Sequence, residues 1–288
     1  MNQYFIMKIY HYTNIETLAL ILRNRTIRFN RADLVDDLEE GMIESHGINF
    51  GKYTFISCWT ENQEESIPLW KMYTDGVSGI RIGLEKKAMF KRYIIPEKNP
   101  YGITSFGGPS ICDYPPEQMY GQNQYTLPPI YNSNYEECNG FYRKIKYVDD
   151  VNEQMKGFMQ TSPGDGTHRG STFISYGEIG SYKHSRWAFE DESRFVLNIF
   201  PGNFMIRPSS ADPMENIKRM LLSLKSNQDL PFRYYDKELR DDIFDEMEIT
   251  LSPMATLSQK IIVEALCDKY APNAVIKSSD LASKVKLK

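Results

Sequence analysis

The chain predicts an α+β fold in which a mixed, mostly antiparallel sheet forms the core and helices flank it. Three observations carry that expectation. Short runs rich in β-branched and aromatic residues, clearest over residues 53–60, have the composition of strands. Other segments place apolar residues at helical spacing, as Ile15, Leu18, Ala19 and Leu22 do. Strands and helices do not alternate strictly, as a parallel sheet with crossover helices would require. The 288 residues are read as one domain, 1–288, with an irregular Tyr/Pro-rich surface insertion at 100–135 and a flexible loop at 162–170.

Taken in order, residues 7–10 read as a strand leading into His11, Tyr12 and Thr13. Thr13 and Glu16 have the spacing of a capping box, which starts a helix that Asn24 can end. Residues 26–29 are extended, and the acidic run at 33–40 reads as a solvated loop. After the strand at 53–60 come a polar loop at 61–65, a short helix from Pro68 to Tyr73, and a strand at 76–84 with several glycines. Pro115-Pro116 and Pro128-Pro129 argue against regular core structure in the insertion. A strand is expected at 142–148 and a helix at 151–160. Asp212-Pro213 opens a helix with Ile217, Met220, Leu221 and Leu224 on one face. Residues 247–251 form a strand. Thr256 and Gln259 open a last helix with Ile262, Ala265 and Leu266 inward, and 274–277 close as an edge strand.

Composition narrows the function. Hydrophobic residues at 41% and charged residues at 25% are ordinary for a soluble globular protein, and a net charge of -4 gives no reason to expect nucleic acid as partner. The four cysteines form no C-x-x-C pair, so neither a disulfide framework nor a zinc knuckle is expected. Cys58 and Cys267 sit in apolar surroundings and read as small core residues. Residues 1–10 are too short and polar for a secretory signal, and no apolar run approaches the ~18 residues of a membrane span. The expectation is a cytoplasmic protein with no membrane partner. His46 and His168 stand far apart, so no metal is expected. There is no phosphate loop, dinucleotide glycine fingerprint or nucleophile elbow.

The densest chemistry lies at 183–194, which carries Lys183, Arg186 and Arg194, the acids Glu190, Asp191 and Glu192, and His184 and Trp187. If the first part is helical, Lys183 and Trp187 are neighbours one turn apart. In the strand that follows, Glu192 and Arg194 share a face opposite Phe195 and Leu197. Such acids either pair internally as a brace or serve a site. A carboxylate among cations suits stabilisation of developing positive charge. His11, at a strand-to-helix junction, suits a phosphate or ribose contact, or a plain bond to a loop carbonyl. Trp59, Trp70 and Tyr73 suit either a stacking pocket or the core. Asp36, Asp37, Glu39 and Glu40 are a weaker candidate for a metal-dependent phosphoesterase, and a solvated loop is the alternative.

Four blocks together resemble a bacterial family, domain-of-unknown-function family 2971. They are Tyr10-His11-Tyr12-Thr13; Ser57-Cys58-Trp59-Thr60 with Leu69-Trp70-x-x-Tyr73 and Gly79-Ile80; Lys183-x-x-x-Trp187-x-x-Glu190-x-Glu192-x-Arg194; and Ile276-Lys277-Ser278. Where the family shows Asn-Asp-Pro-x-Glu, this chain has Val35-Asp36-Asp37-Leu38-Glu39. The layout is also similar to that of ADP-ribosyltransferases, in which a His on the first strand holds a ribose of NAD and a Glu near the last core strands assists glycosidic cleavage. That resemblance implies NAD as substrate, Glu190 and Glu192 as catalytic candidates, and His11 as the ribose ligand. It extends the binding set to Tyr12, Thr13, Trp70 and Tyr73 on one side, and to Lys183, Trp187 and Arg194 on the other. The implied function is an ADP-ribosyltransferase-like enzyme acting on an unknown macromolecule, in toxin or phage defence. The alternative is a non-catalytic binding or sensing module in which the charged cluster is structural.

Overall fold

A computed structural model describes residues 7–100, 110–121, 123–128, 141–162, 171–175, 177–202 and 213–287. In chain order, strand β1 (Lys8–Asn14) leads through helix α1 (Ile15–Asn24) to β2 (Thr26–Arg31). Then come β3 (Thr54–Thr60), α2 (Ile67–Met72), β4 (Gly79–Glu85), β5 (Tyr142–Lys144) and β6 (Glu192–Asn198). Helix α3 (Pro213–Lys225), β7 (Tyr234–Glu238), β8 (Glu248–Leu251), α4 (Leu257–Tyr270) and β9 (Val275–Lys277) follow as the remaining elements of the main sheet and its principal helices.

These nine strands form the main sheet, with the path β5-β6-β3-β1-β4-β8-β9, while β2 and β7 lie off that path; the other strands of the described residues pair in small two-stranded sheets. Within this sheet every pairing is antiparallel except β8 with β9. The fold is therefore α+β with a mixed, mostly antiparallel sheet and flanking helices. Large apolar side chains fill one face. Phe195 packs edge-on against Phe90 at 4.9 Å and meets Trp59 at 6.3 Å, and Ile82, paired with Ile249, belongs to the same core. Burying each such side chain contributes about 1.5–3 kcal/mol.

One edge of β3 creates the site. Its other edge pairs with β6 along its whole length, from Thr60↔Glu192 to Thr54↔Asn198. On the open edge, β1 meets β3 only at Tyr10↔Thr60, and β2 meets it only at Asn30↔Ile56 and Arg31↔Phe55. Strands β1 and β2 thus run parallel along the same edge and part between Ser57 and Trp59. Helix α1 makes the crossover between them, burying Ile15, Leu18, Ile21 and Leu22. The sheet is forked, and the fork is hollow.

Several local expectations change. Helix α1 is capped by Asn14, whose side chain accepts from the Thr17 N–H at 2.9 Å, so Thr13 stays in β1. The expected strand at 142–148 breaks at buried Ile145. Its first half pairs with β6, and Lys146–Val148 pairs in parallel with Tyr182–His184. Lys183 therefore lies on a strand, not a helix, and Ser185–Glu190 is a 3-10 turn. The helix expected at 151–160 covers only Val151–Gln154, and Met159–Ser162 pairs with Ser171–Ile174. Helix α4 opens on the expected Thr256–Gln259 box but turns Val263 and Cys267 inward, one position on from expectation, leaving Ile262 exposed. In the insertion, Pro116 begins the short helix Pro116–Tyr120 and Tyr114 is sunk in the core. Residues 101–109, 122, 129–140 and most of the 162–170 loop lie outside the described residues. Among the described residues no helix is long and apolar enough to cross a membrane.

Candidate functional site

The fork opens into a cavity of about 420 Å³, within the range of small-ligand sites. Strand β1 supplies Tyr10, His11 and Tyr12 to its lining, and β3 supplies Ile56, Cys58 and Thr60. Alternation on β6 turns Glu192 and Arg194 toward this side, opposite Cys58 and Thr60, while Phe195 and Leu197 point into the core. Tyr73 follows α2, and Trp187 and Glu190 come from the 3-10 turn.

The charged groups form one buried network. Arg194 grips Glu192 at two points, Nε to Oε1 at 2.9 Å and Nη2 to Oε2 at 2.7 Å, and donates through Nη1 to Glu40. Lys183 Nζ donates to Glu190 Oε2 at 2.5 Å and to Glu192 Oε2 at 3.3 Å, and lies 4.5 Å from the centre of the Trp187 ring. The Tyr73 hydroxyl donates to the other Glu190 oxygen. All three glutamates, Lys183 and Arg194 are almost fully buried.

Three carboxylates thus face two cations, and they do not titrate alike. Burial by itself would raise the Glu192 carboxyl, but Arg194 and Lys183 outweigh it and hold the group down at about 2. Burial raises Glu190, and the Glu192 charge adds to the rise against the pull of Lys183. Glu40 is also raised by burial, which outweighs Arg194. Glu192 is therefore held as an anion, whereas burial favours the neutral form of Glu190 and of Glu40. The Tyr73 hydroxyl is pushed up by its burial and by its bond to Glu190, so it remains a donor.

His11 closes the fork. Its Nδ1 lies 2.8 Å from the Cys58 carbonyl oxygen, which can only accept, so the proton sits on Nδ1 and Nε2 is left as an acceptor. Burial lowers its pKa, against the smaller opposing effect of the Cys58 bond, so the ring is neutral near pH 7. The ring leans on Trp59 with centres 5.2 Å apart.

The cavity gathers His11, Tyr12, Tyr73, Lys183, Trp187, Glu190, Glu192 and Arg194 from the expected set, and leaves out two. Thr13 is buried in β1 opposite Ile80. Trp70 is fully buried in a satellite core with Tyr12 and Leu69, and its indole N–H donates to Glu65 Oε2 at 2.8 Å. It is an anchor, not a stacking surface. Arg186, a cation of the same run, lies outside the cavity lining and reaches exposed Glu39 at 3.5 Å.

Glu40 and Cys58 are lining residues that the sequence reading places elsewhere. Glu40 was expected in a solvated loop, yet the helical turn Leu38–Gly41, capped by Asp37, drives it against Arg194. A lone acid in an acidic run gives no sign of burial; its signal lies only in the contact with a residue far along the chain. Cys58 was expected in the core, but it alternates with Ser57 and Trp59 and is exposed within the cavity. Enclosure by the surrounding atoms, then the nearby Glu192 charge, push its thiol well up. Among the described residues no group of three or more His, Cys, Asp or Glu is placed to hold a metal ion.

No protein-family model, curated protein or solved structure matches this chain.

Proposed function

We propose that the cavity binds NAD and that the protein breaks the bond between nicotinamide and ribose, as an ADP-ribosyltransferase-like enzyme related to domain-of-unknown-function family 2971. The carrying observation is that His11 and Glu190, far apart in sequence, line one cavity, with Glu190 bonded to Tyr73 and Lys183. In this reading His11 Nε2 accepts from a ribose hydroxyl. The C1′–N bond breaks with its electron pair leaving on nicotinamide, and the cation-like sugar develops beside Glu190. Water, or a nucleophile on an unidentified macromolecule, bonds to C1′ and gives its proton to the Glu190 carboxylate and then to solvent. With water the balance is NAD⁺ and H₂O to nicotinamide, ADP-ribose and H⁺. We place the enzyme in the cytoplasm, where unpaired cysteines persist, and its role in toxin or phage defence.

Chromatographic assay of nicotinamide release from NAD tests the reading. Wild type is expected to turn over, and Glu190→Gln to lose about 10²–10³-fold in kcat, typical of removing one preorganised electrostatic partner. No nicotinamide release, together with no rise in melting temperature at saturating NAD, overturns it.

A second reading, a non-catalytic binding module, is favoured by one observation: Arg194 is held on both sides by Glu192 and Glu40, as a structural brace would be. It predicts an NAD-dependent rise in melting temperature without turnover.

A further inference from the structure

The cavity is chemically polarised. Away from the glutamates it runs along β2 and β7, where Arg28, Asn30, Arg233 and Tyr234 line it. Strand alternation turns Arg28 and Asn30 outward, with Phe29 and Arg31 buried beneath. Across the ladder, Tyr234 pairs with Asn30 and Asp236 with Arg28.

The three arginines of this region differ in how far their charge is already compensated. Arg31 is buried and bound by Asp33, with Asp229 at 3.7 Å. Arg28 is held two-point by Asp236 at 2.8 and 2.9 Å, and its guanidinium lies 3.6 Å from the centre of the Tyr234 ring. Arg233 is exposed. Its backbone carbonyl is tied down by the Arg31 N–H at 3.1 Å, but among the described residues its guanidinium meets no carboxylate. The Asn30 side chain likewise has no hydrogen-bond partner among the described residues.

An uncompensated guanidinium on a fixed backbone, beside a free amide and a second guanidinium already oriented by stacking, is suited to a planar oxyanion and above all to phosphate. Asp36 and Asp37 also line the cavity. They would repel an anion drawn deeper toward Glu40 and so confine it to the strand edge.

We propose that the β2–β7 end of the cavity is an anion subsite, in which Arg233 and Asn30 bind a phosphate group of the ligand and Arg28 with Tyr234 forms the adjoining platform. The ligand is then a phosphorylated nucleoside whose sugar points toward His11 and Glu190. This deepens the NAD reading, on which the direction of the sugar rests, but the phosphate contact can be tested without any turnover.

Calorimetric titration of the full chain with ADP and with inorganic pyrophosphate, at fixed ionic strength, reads the subsite directly. Wild type is expected to bind both. Arg233→Glu is expected to weaken binding about tenfold or more, the usual cost of losing a charge-assisted hydrogen bond. Lys260→Glu, the same charge change on helix α4 outside the cavity, should bind as wild type does. Circular dichroism checks that the exposed Arg233 variant stays folded. No binding of either probe, or equal losses in the two variants, overturns the subsite. Binding that depends on Arg233 in a protein that releases no nicotinamide keeps the subsite and removes the NAD-cleavage reading. Nicotinamide release with ADP affinity unchanged in Arg233→Glu does the reverse.

Discussion

Glu190 and Glu192 are two residues apart and share Lys183, yet each has a partner of its own: Arg194 clamps Glu192 at 2.7 and 2.9 Å, while the Tyr73 hydroxyl donates to Glu190. The difference comes from backbone geometry. Glu190 ends a 3-10 turn, Asp191 takes a left-handed conformation at φ 43°, and Glu192 begins β6. The reversal separates a carboxylate that Arg194 holds as an anion from one whose pKa burial raises.

The brace is expected to appear as stability. Glu192→Gln leaves Arg194 with only Glu40 for its charge, and breaking a buried pair in this way costs about 3–5 kcal/mol. Urea denaturation measures it. The pH dependence has a definite sign: the folded carboxyl sits at about 2, below its ordinary 4.5. The unfolded chain therefore binds the proton first as pH falls. The contribution of Glu192 is complete above 4.5 and is lost progressively toward 2. Wild type should lose stability across that window more steeply than Glu192→Gln. Parallel curves for the two proteins would contradict the assignment.

His11 is expected to remain neutral, with its proton on Nδ1, because burial lowers its pKa and the Cys58 carbonyl fixes the tautomer. Nitrogen-15 NMR distinguishes the two ring nitrogens directly. The His11 midpoint should fall below the ~6.5 of a free imidazole. A midpoint at or above that value, or a proton resident on Nε2, would remove the acceptor that the ribose contact needs.

Cys58 offers a reporter for the cavity. Its thiol is accessible but its pKa is raised, so exposure and reactivity should part company. Alkylation by iodoacetamide at about pH 8 is expected to be much slower than that of free cysteine, and to accelerate only in more alkaline solution. A ligand in the cavity should slow it further. Peptide mass spectrometry resolves Cys58 from buried Cys267; labelling at the rate of free cysteine would show that neither enclosure nor the Glu192 charge raises the thiol.

What could be read from sequence follows the range of the interaction. Strand β3, helix α1, the capping box of α4 and the edge strand β9 rest on local periodicity, side-chain shape and capping chemistry. These act over a few residues and are visible in the chain itself. The short-range parts of the site were visible for the same reason: Glu192 and Arg194 fall on the face opposite Phe195 and Leu197 by alternation alone. Where reading failed, a distant contact decided. The strand through Ile145 broke because its two halves found different partners, and Cys58 faces a cavity because β1 and β2 part beside it.

The sequence by itself determined the α+β class, most of the elements, and the concentration of charge between Lys183 and Arg194. Only the tertiary structure decided that β1 and β2 share one edge of β3, that the gap between them is a cavity, and that Glu40 completes the network around Arg194 from 154 residues away. The physical reason is that burial and charge pairing depend on distance in space. Whether a carboxylate is a solvated surface group, a fixed anion or an exchangeable acid is set by which neighbours the fold brings to it.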